Sequence, residues 1–311
     1  MGKIALIFPG QGSQHVGMGL EFFNSSDKAA QTFNKFNQIS GYELTKIMFE
    51  GPEEDLKLTT NTQPGIMSVS IVGYELLKEK TGIKADYLAG HSLGEYSALY
   101  AAGVLTLDDV IAIVKTRSEL MSKAKAGAMT AILGLDDEKL TEMIQTASSK
   151  GVITVANYNT PDQTVITGEK AAIDAANELA SQLGAKRVIP LAVSGAFHSP
   201  LMKDASLEFS KYIEGYNFNN AKIPVITNTD ASLTTSGSEF KSKCAEQIYS
   251  SVMWKQTISY MLNNGTDTFI EIGPGKVLSG MVKKIDRAAN VISISDMKSL
   301  EEAANHLCSK V

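Results

Sequence analysis

The chain has 311 residues, 43% of them hydrophobic and 20% charged, and its formal net charge is −5 at pH 7. This composition is that of a globular protein, long enough for two domains or for one domain that carries an insertion. The acidic balance excludes bulk binding to nucleic acid, which requires a basic surplus, so we expect no nucleic-acid partner.

Two features concern where the protein acts. The apolar run at residues 4–8 is too short for a signal peptide or a membrane span, so we expect neither export nor a membrane partner. The two cysteines, Cys244 and Cys308, have neither metal-ligand spacing nor a disulfide framework, and we expect small apolar side chains in helices. A reducing cytoplasm fits this usage best.

The first 126 residues alternate buried strands with helices. A continuous apolar run closed by Pro9 and Gly10 is typical of a buried parallel strand, and a second such run ends at Gly90. The helical pattern that follows stops at Gly103, where a left-handed cap is favoured. The predicted strands cover residues 4–8 and 85–89, and the predicted helices cover stretches up to about residue 80, then 93–102 and 106–123.

The pattern changes after Gly127 to the order βαββαβ, which is that of a split ferredoxin-like unit. We therefore predict a small ferredoxin-like domain at residues 127–192. Its expected strands are 128–135, 152–156, 164–167 and 187–191, its expected helices are 136–149 and 169–183, and a turn is expected at 159–162.

After this unit the α/β alternation resumes, with predicted strands at 225–228, 268–272 and 291–294. Alternation on both sides of an insertion predicts an α/β fold in which residues 1–126 and 193–311 form one large, hydrolase-like domain with a parallel sheet. The cleft between the two lobes is the expected place for a substrate.

The motif GHSLG at residues 90–94 lies between a predicted strand and a predicted helix. In this context the glycines permit a sharp turn that exposes the Ser92 hydroxyl at a helix N-terminus, where free N–H groups favour negative charge. The motif predicts a nucleophilic serine; the alternative is a plain strand-to-helix turn.

A serine nucleophile needs a base, and the chain has four histidines. His91 should point away from Ser92 on so tight a turn, and His306 lies on the polar side of the last predicted helix. His198, where the chain returns to the larger lobe, is favoured over His15 in a glycine-rich loop. No acidic residue stands out as a third member, which leaves a backbone carbonyl to orient the imidazole.

The loop PGQGSQ at residues 9–14 is not a dinucleotide fingerprint, because it lacks the third glycine. It is either a plain turn or a source of one backbone N–H for an oxyanion, with the N–H of Leu93 as the other donor. Arg117 lies among apolar residues, where an unpaired charge is costly. It pairs either with a structural carboxylate or with a carboxylate of the substrate.

Five motifs then occur in order: GQGSQ at 10–14, GHSLGEY at 90–96, Arg117, GAFH at 195–198 and EIGPG at 271–275. Over nearly its whole length the chain resembles the malonyl-CoA:acyl carrier protein transacylases of fatty acid synthesis and the acyltransferase domains of polyketide synthases. The resemblance implies transfer of malonyl from malonyl-CoA to the phosphopantetheine thiol of acyl carrier protein. Such a reaction exchanges one thioester for another and is close to balanced, so no ATP, metal or redox cofactor is expected.

The resemblance also implies roles for single residues. Ser92 would be the nucleophile and His198 the base, while the backbone N–H groups of Gln11 and Leu93 would bind the oxyanion. The backbone carbonyl of Gln247 would orient the histidine.

Substrate selection is implied by four residues. Arg117 would grip the free carboxylate of malonyl, which replaces its structural interpretation, and Gln11 would also contact the substrate. Phe197 resembles the malonyl-selective form of its motif, and Asn159 matches a family asparagine near the site.

Two rival functions remain at this point. A serine hydrolase shares the nucleophile and the base but turns over with water, and a carrier-binding module would lack both groups. An acidic carrier protein would need a local basic patch, for which residues 186–187 and 283–287 are candidates against ordinary solvated faces. A freestanding chain favours fatty acid synthesis, and we expect a monomer.

Overall fold

A computed structural model of the chain describes residues 2–124, 126–193 and 195–308. Ten strands occur in these residues, and they form two separate sheets. The strands are β1 (Lys3–Phe8), β2 (Tyr87–Gly90), β3 (Ala128–Leu133), β4 (Ile153–Thr160), β5 (Gln163–Gly168), β6 (Arg187–Pro190), β7 (Val225–Ile226), β8 (Leu233–Thr234), β9 (Thr266–Ile272) and β10 (Asn290–Ile294).

Helices connect most of these strands. They are α1 (Leu20–Phe23), α2 (Asp27–Ser40), α3 (Leu44–Glu50), α4 (Glu53–Lys57), α5 (Thr59–Thr81), α6 (Gly94–Ala101), α7 (Leu107–Lys123), α8 (Asp137–Ala147), α9 (Lys170–Gln182), α10 (Lys203–Ile213), α11 (Gly237–Gln247), α12 (Trp254–Asn263), α13 (Val277–Ile285) and α14 (Met297–Cys308). Short 3₁₀ turns cover Ser148–Lys150 and Pro200–Met202.

The larger sheet has the strand order β10-β9-β1-β2-β7-β8, in which all pairs are parallel except β7 with β8. Its central strand β1 is apolar and buried from Ala5 to Phe8, because helices cover both faces. The predicted mixed α/β fold with a parallel sheet is therefore confirmed. The two-residue antiparallel strand β8 was not predicted, since so short a segment carries no periodic signal.

The smaller sheet is antiparallel, with the order β4-β5-β3-β6, and α8 and α9 pack together on an apolar core that includes Met143, Ile166 and Ala176. The element order βαββαβ agrees with the sequence. The predicted turn at 159–162 was wrong at its start, because β4 continues to Thr160, which pairs with Gln163. The last residues of β4 are mostly polar. The apolar alternation that predicted the strand therefore ends before its hydrogen-bonded pairing with β5 does.

Local chemistry accounts for where the helices begin and end. Thr106 Oγ1 accepts a hydrogen bond from the Asp109 N–H at the start of α7 (3.2 Å), and Gly103 after α6 has a φ of +75°. Inside α5, Pro64 cannot donate to the carbonyl of Thr60 four residues earlier. The Tyr42 hydroxyl donates to that carbonyl instead (3.1 Å), so the helix continues through the proline.

Backbone hydrogen bonds join the smaller sheet to the segment before α12. The Val252 N–H donates to the Ala156 carbonyl (2.8 Å), and the Tyr158 N–H donates to the Val252 carbonyl (3.0 Å). The next residue, Met253, donates its N–H to the carbonyl of Asn228 (2.8 Å), which lies just beyond β7. The two sheets are therefore linked beside the carboxyl ends of β2 and β7.

The turn between β2 and α6 leaves no room for side chains at its glycines. A Cβ on Gly90 would overlap the carbonyl of Gly94, and a Cβ on Gly94 would overlap the carbonyl oxygen of Phe8 in β1. Both obstacles are backbone atoms, which cannot swing aside. The spacing of glycines in GHSLG therefore follows from the close approach of β1, β2 and α6.

We predict that Gly94→Ala lowers the free energy of unfolding by about 2 kcal/mol or more, as expected for overpacking against fixed backbone. The matched control is Gly280→Ala in α13, where an added Cβ meets no atom within 4 Å. That change should be neutral or stabilise the helix by about 0.5–1 kcal/mol. Urea unfolding midpoints compare the two variants, and equal stability would contradict this account of the turn.

Candidate active site

Ser92 lies at the tip of the turn between β2 and α6 with a φ of +50°, a left-handed conformation that side-chain-bearing residues rarely adopt. The His91 N–H donates to the Phe8 carbonyl (3.0 Å), and the Gly94 N–H donates to the His91 carbonyl (2.9 Å). These bonds fix the turn on both sides of the serine. The hydroxyl is therefore presented at the start of a helix, as the motif predicted.

The structure places His198 beside this serine. Ser92 Oγ lies 2.8 Å from His198 Nε2, and His198 Nδ1 lies 2.8 Å from the backbone carbonyl of Gln247. Because a carbonyl only accepts, Nδ1 carries the proton and Nε2 is free to accept one from the serine. The orienting group is therefore a backbone carbonyl, as the resemblance implied.

Burial first, and then the positive charge of Arg117, lower the pKa of His198 to about 3. The imidazole is consequently neutral near pH 7, which is the state that a general base requires. The hydrogen bond to the Gln247 carbonyl raises the pKa of His198, but by less than burial and Arg117 lower it, so the base stays neutral.

The other histidines are placed elsewhere. His91 is directed towards the smaller sheet, where its Nε2 lies 2.9 Å from Asn159 Oδ1, and its ring packs edge-on against Trp254. His15 is exposed, with Nδ1 3.2 Å from the Val16 carbonyl, and His306 is exposed on α14. Geometry thus selects His198 over the alternative left open by the sequence.

A cavity of about 100 Å³ lies over Ser92 and His198. Gln11 and Leu93 line it, and among the described residues neither of their N–H groups has a hydrogen-bond acceptor. Its apolar wall is formed by Met121, Met129, Leu191, Val193 and Phe197. Two free N–H groups beside a nucleophile are the arrangement that an oxyanion requires.

A larger cavity, of about 450 Å³, opens at the other end of β1 beside Gly2, Ile4 and Asp267. It shares no lining residue with the cavity over Ser92. Cavity size therefore does not locate the chemistry of this protein, whereas the nucleophile and base do.

Arg117 is completely buried behind the nucleophile. Its Nη1 donates to Gln63 Oε1 (2.7 Å), and its Nη2 donates to Gln247 Oε1 (2.9 Å) and to Ser92 Oγ (3.1 Å). The guanidinium also lies over the ring of Tyr96, 5.2 Å from its centre. No ion pair with a carboxylate occurs for Arg117 in the described part of the chain, which argues against the structural alternative.

Sequence reasoning missed Asn228, which supports the strained turn. Its Oδ1 accepts from the Ser92 N–H and its Nδ2 donates to the Gly90 carbonyl, both at 2.7 Å. Its own N–H donates to Glu95 Oε2 (2.8 Å), a carboxyl whose pKa burial raises to about 7. The sequence did contain a signal for Asn228. It is the last residue of a predicted strand, and sites in such folds lie at the carboxyl ends of the strands.

Of the two remaining predicted residues, one lines the cavity and the other does not. Phe197 lines the cavity. Asn159 does not: it is buried in β4, where its side chain bonds His91 and Gln163, and the asparagine that lines the cavity is Asn157. Any effect of Asn159 on a substrate would therefore pass through His91.

In an α/β fold, a serine on a strained turn with a neutral histidine is the geometry of enzymes that form an acyl-serine intermediate. That class includes hydrolases and acyltransferases. Among the residues that the structure describes, no group of three or more His, Cys, Asp or Glu could hold a metal ion, and no helix is long and apolar enough to cross a membrane.

The family model of the acyl transferase domain matches residues 5–301. A malonyl CoA-acyl carrier protein transacylase from Bacillus subtilis (strain 168) is 44% identical, covering 99% of this chain and 98% of its own. A relative of the same name from Staphylococcus aureus (strain MSSA476) is 42% identical, covering 97% of this chain and 98% of its own.

Two solved structures are also similar. An acyl carrier protein S-malonyltransferase from Vibrio cholerae has a TM-score of 0.93 and 39% identity, covering 97% of this chain and 99% of its own. A malonyl-transacylase in complex with a type II polyketide synthase acyl-carrier protein has a TM-score of 0.94 and 36% identity, covering 98% of this chain and 99% of its own. The chain therefore belongs to the acyl transferase family, among the malonyl CoA-acyl carrier protein transacylases.

The lowered pKa of His198 predicts that acylation of Ser92 is insensitive to protonation of this base between about pH 5 and pH 8. An ordinary histidine would lose roughly thirtyfold in rate by pH 5. The initial burst with p-nitrophenyl acetate, corrected with Ser92→Ala, measures acylation by an uncharged substrate.

Glu95, whose pKa burial raises to about 7, lies near the turn and titrates in this range. Glu95→Gln removes its contribution. A fall in rate below pH 6.5 that persists in this variant would mean that His198 has an ordinary pKa.

Proposed function

We propose that the protein transfers a malonyl group from malonyl-CoA to the phosphopantetheine thiol of an acyl carrier protein, through an ester on Ser92. The observation that carries this proposal is Arg117: a buried guanidinium 3.1 Å from the nucleophile, with only neutral partners among the described residues. An acyl group that ends in a carboxylate would complete its charge. A simple esterase has no need of such a group.

In the first half-reaction, Ser92 Oγ attacks the thioester carbonyl while His198 Nε2 accepts its proton. The N–H groups of Gln11 and Leu93 stabilise the oxyanion. The carbon–sulfur bond then breaks, His198 returns the proton to the leaving thiolate, and coenzyme A departs.

The second half-reaction reverses these steps with another thiol. The phosphopantetheine thiol gives its proton to His198 as its sulfur attacks the acyl-serine. Collapse of the oxyanion releases Ser92, which recovers the proton. One thioester replaces another, so the exchange is close to balanced, and we expect it to need neither ATP nor a metal or redox cofactor.

Arg117 supplies selectivity in this proposal. An arginine–carboxylate pair is strong and directional, and a buried guanidinium that lost its counter-charge would be destabilised by about 3–5 kcal/mol. Acetyl-CoA has no carboxylate to offer. Phe197 in the apolar wall limits the space beside the acyl group, and Gln11 lies where it can contact it.

The domain division belongs to the same proposal. We infer a large, hydrolase-like domain from residues 1–126 and 193–311 and an inserted ferredoxin-like domain from 127–192. The two sheets support this division, since no strand belongs to both, and β4-β5-β3-β6 with two helices is the arrangement expected of the smaller domain. A bridge between Ala126 and Gly195 lies at the expected boundary.

We expect acyl carrier protein to be the partner, the pathway to be fatty acid synthesis, and the protein to act as a cytoplasmic monomer. The solved relative bound to an acyl-carrier protein supports the partner. Lys186 and Arg187 are exposed at the start of β6, as a docking patch requires. In the second candidate patch, at residues 283–287, Lys283 already donates hydrogen bonds to the carbonyls of Arg287 and Ala289, so it is less available to a partner.

The experiment for the proposed function is intact mass spectrometry of the protein mixed with malonyl-CoA, without a carrier protein. We expect one malonyl group on the wild type, none on Ser92→Ala, and discharge of the group when carrier protein is added. Steady release of free coenzyme A without an adduct would identify a hydrolase. No adduct and no release would mean that malonyl is not the acyl group.

Arg117→Ala should lower kcat/KM for malonyl-CoA by roughly a thousandfold, because the carboxylate loses its counter-charge. Acetyl-CoA should be affected far less, so the preference for malonyl disappears. Arg287→Ala, an exposed arginine, is the matched control, and acyl-enzyme formation without carrier protein is the readout. A variant that retained the full malonyl preference would show that Arg117 does not bind the carboxylate.

A further inference from the structure

Among the described residues that line the cavity over the nucleophile, none comes from the motif EIGPG at residues 271–275. The motif begins on the last two residues of β9 and forms the turn into α13. Strand β9 lies beside β1, where Glu271 pairs with Ile7, two residues before Pro9. The turn after β9 and the loop after β1, which carries Gln11, therefore leave the sheet next to each other.

The carboxyl group of Glu271 closes this turn onto the next helix. The side chain is fully buried, and its oxygens accept the N–H groups of Leu278 (3.0 Å) and Ser279 (2.7 Å). Both donors lie in the first turn of α13, where free N–H groups favour a negative charge. The Gly273 N–H donates to the Ile294 carbonyl in β10 (3.0 Å). The turn is therefore fixed both to a helix and to a strand.

Gly273 brings this turn into contact with the ring of Pro9. Its φ is +146°, a conformation that residues with side chains rarely adopt. A Cβ at this position would lie 2.6 Å from Pro9 Cγ and 2.8 Å from Pro9 Cδ, and 2.5 Å from Ser70 Oγ in α5. The absence of a side chain at Gly273 is thus what allows the ring to pack against the turn.

The loop after β1 carries one of the two N–H groups assigned to the oxyanion. Its Gln11 is half-buried and lies in no helix or strand, whereas Leu93 is buried at the start of α6. The loop also contacts the nucleophile's turn, since a Cβ on Gly10 would lie 2.3 Å from the His91 carbonyl oxygen. Contacts at two consecutive residues, Pro9 and Gly10, therefore set the position of the loop.

The two oxyanion donors differ in what holds them. The N–H of Leu93 is fixed by the helix that it begins, but the N–H of Gln11 depends on the packing of its loop against neighbouring turns. A donor stabilises the oxyanion only at hydrogen-bond distance from the developing charge. A misplacement of about 1 Å can cost about a hundredfold in rate.

We propose that Gly273 is a positioning residue for the oxyanion: the turn that it forms seats the Pro9 ring and so holds the Gln11 N–H at the distance that the oxyanion requires. This inference rests on the proposed function, because it takes the Gln11 N–H to be one of the two oxyanion donors. It assigns the EIGPG motif a role in the rate of acylation and none in binding of the acyl group.

The test is Gly273→Ala, whose added Cβ would displace the Pro9 ring and the loop with it. The burst of Ser92 acylation by p-nitrophenyl acetate, corrected with Ser92→Ala, should slow by about a hundredfold, as for one misplaced oxyanion donor. The ester concentration that gives the half-maximal burst rate should not change, because the oxyanion forms only in the transition state. A loss in binding instead of in rate would overturn the inference.

Gly275→Ala is the matched control in the same turn. Gly275 also has a positive φ, of +76°, but a Cβ there would come no closer than 3.5 Å to another atom, the Ser13 carbonyl oxygen. This variant places an alanine at positive φ without touching Pro9, so its acylation rate should be close to that of the wild type. An equal loss of rate in the two variants would attribute the effect to backbone strain and overturn the inference.

Pro9→Ala removes the ring and keeps the inference testable even if Gly273→Ala does not fold. The loop then loses its contact with the turn, so the acylation rate should fall by about tenfold. An unchanged rate would contradict the positioning role. In the double variant the added Cβ meets no ring, so Gly273→Ala should slow acylation much less than it does in the wild type. Effects that multiply in full would mean that the two residues act independently, against the proposal.

The ester contains no malonyl group and requires no carrier protein, so this test is separate from that of the proposed function. If the wild type is malonylated and Gly273→Ala acylates normally, this inference fails and the proposed function stands. If the wild type is not malonylated by malonyl-CoA but Gly273→Ala slows acylation by the ester, the proposed function fails and the positioning role of Gly273 stands. Urea unfolding confirms that the rates compare folded proteins.

Discussion

The site depends on one strained residue. Ser92 has a positive φ because β1, β2 and α6 approach so closely that the chain must turn within three residues, and Asn228 holds both sides of that turn. The same turn directs the hydroxyl towards His198 and frees the N–H of Leu93 for an oxyanion. Backbone strain of this kind persists only where the surroundings over-determine it, and here glycine packing and an asparagine clamp do so.

Much of the fold could be predicted from the sequence because its signals are local. Continuous apolar runs identified the buried strands, and capping residues such as Thr106 and Gly103 marked helix ends. The site was predictable where chemistry and chain position coincide, as for Ser92 after a strand. The pairing of Ser92 with His198 is a long-range contact, and the sequence signals for it were elimination among four histidines and the resemblance of the GAFH motif to a known family.

Other features could not be read from a local pattern. Strand β4 runs past its apolar alternation because pairing with β5 sustains it, which places Asn159 against His91 instead of in a turn. Gln63 is one polar residue in a long buried helix, and the residues next to it in the sequence give no sign that it contacts Arg117 of another helix. Such residues become visible only when the fold brings distant elements together.

Arg117 and His198 are electrostatically coupled, and this joins selection of the acyl group to the chemistry. The positive charge of Arg117 is the second cause, after burial, of the lowered pKa of His198. In the proposed function, a carboxylate bound to Arg117 would remove this cause and raise the pKa of His198. A stronger base accepts the Ser92 proton more readily. An acyl group without a carboxylate would leave the base weak, so in the proposed function one arginine would discriminate both in binding and in activation of the nucleophile.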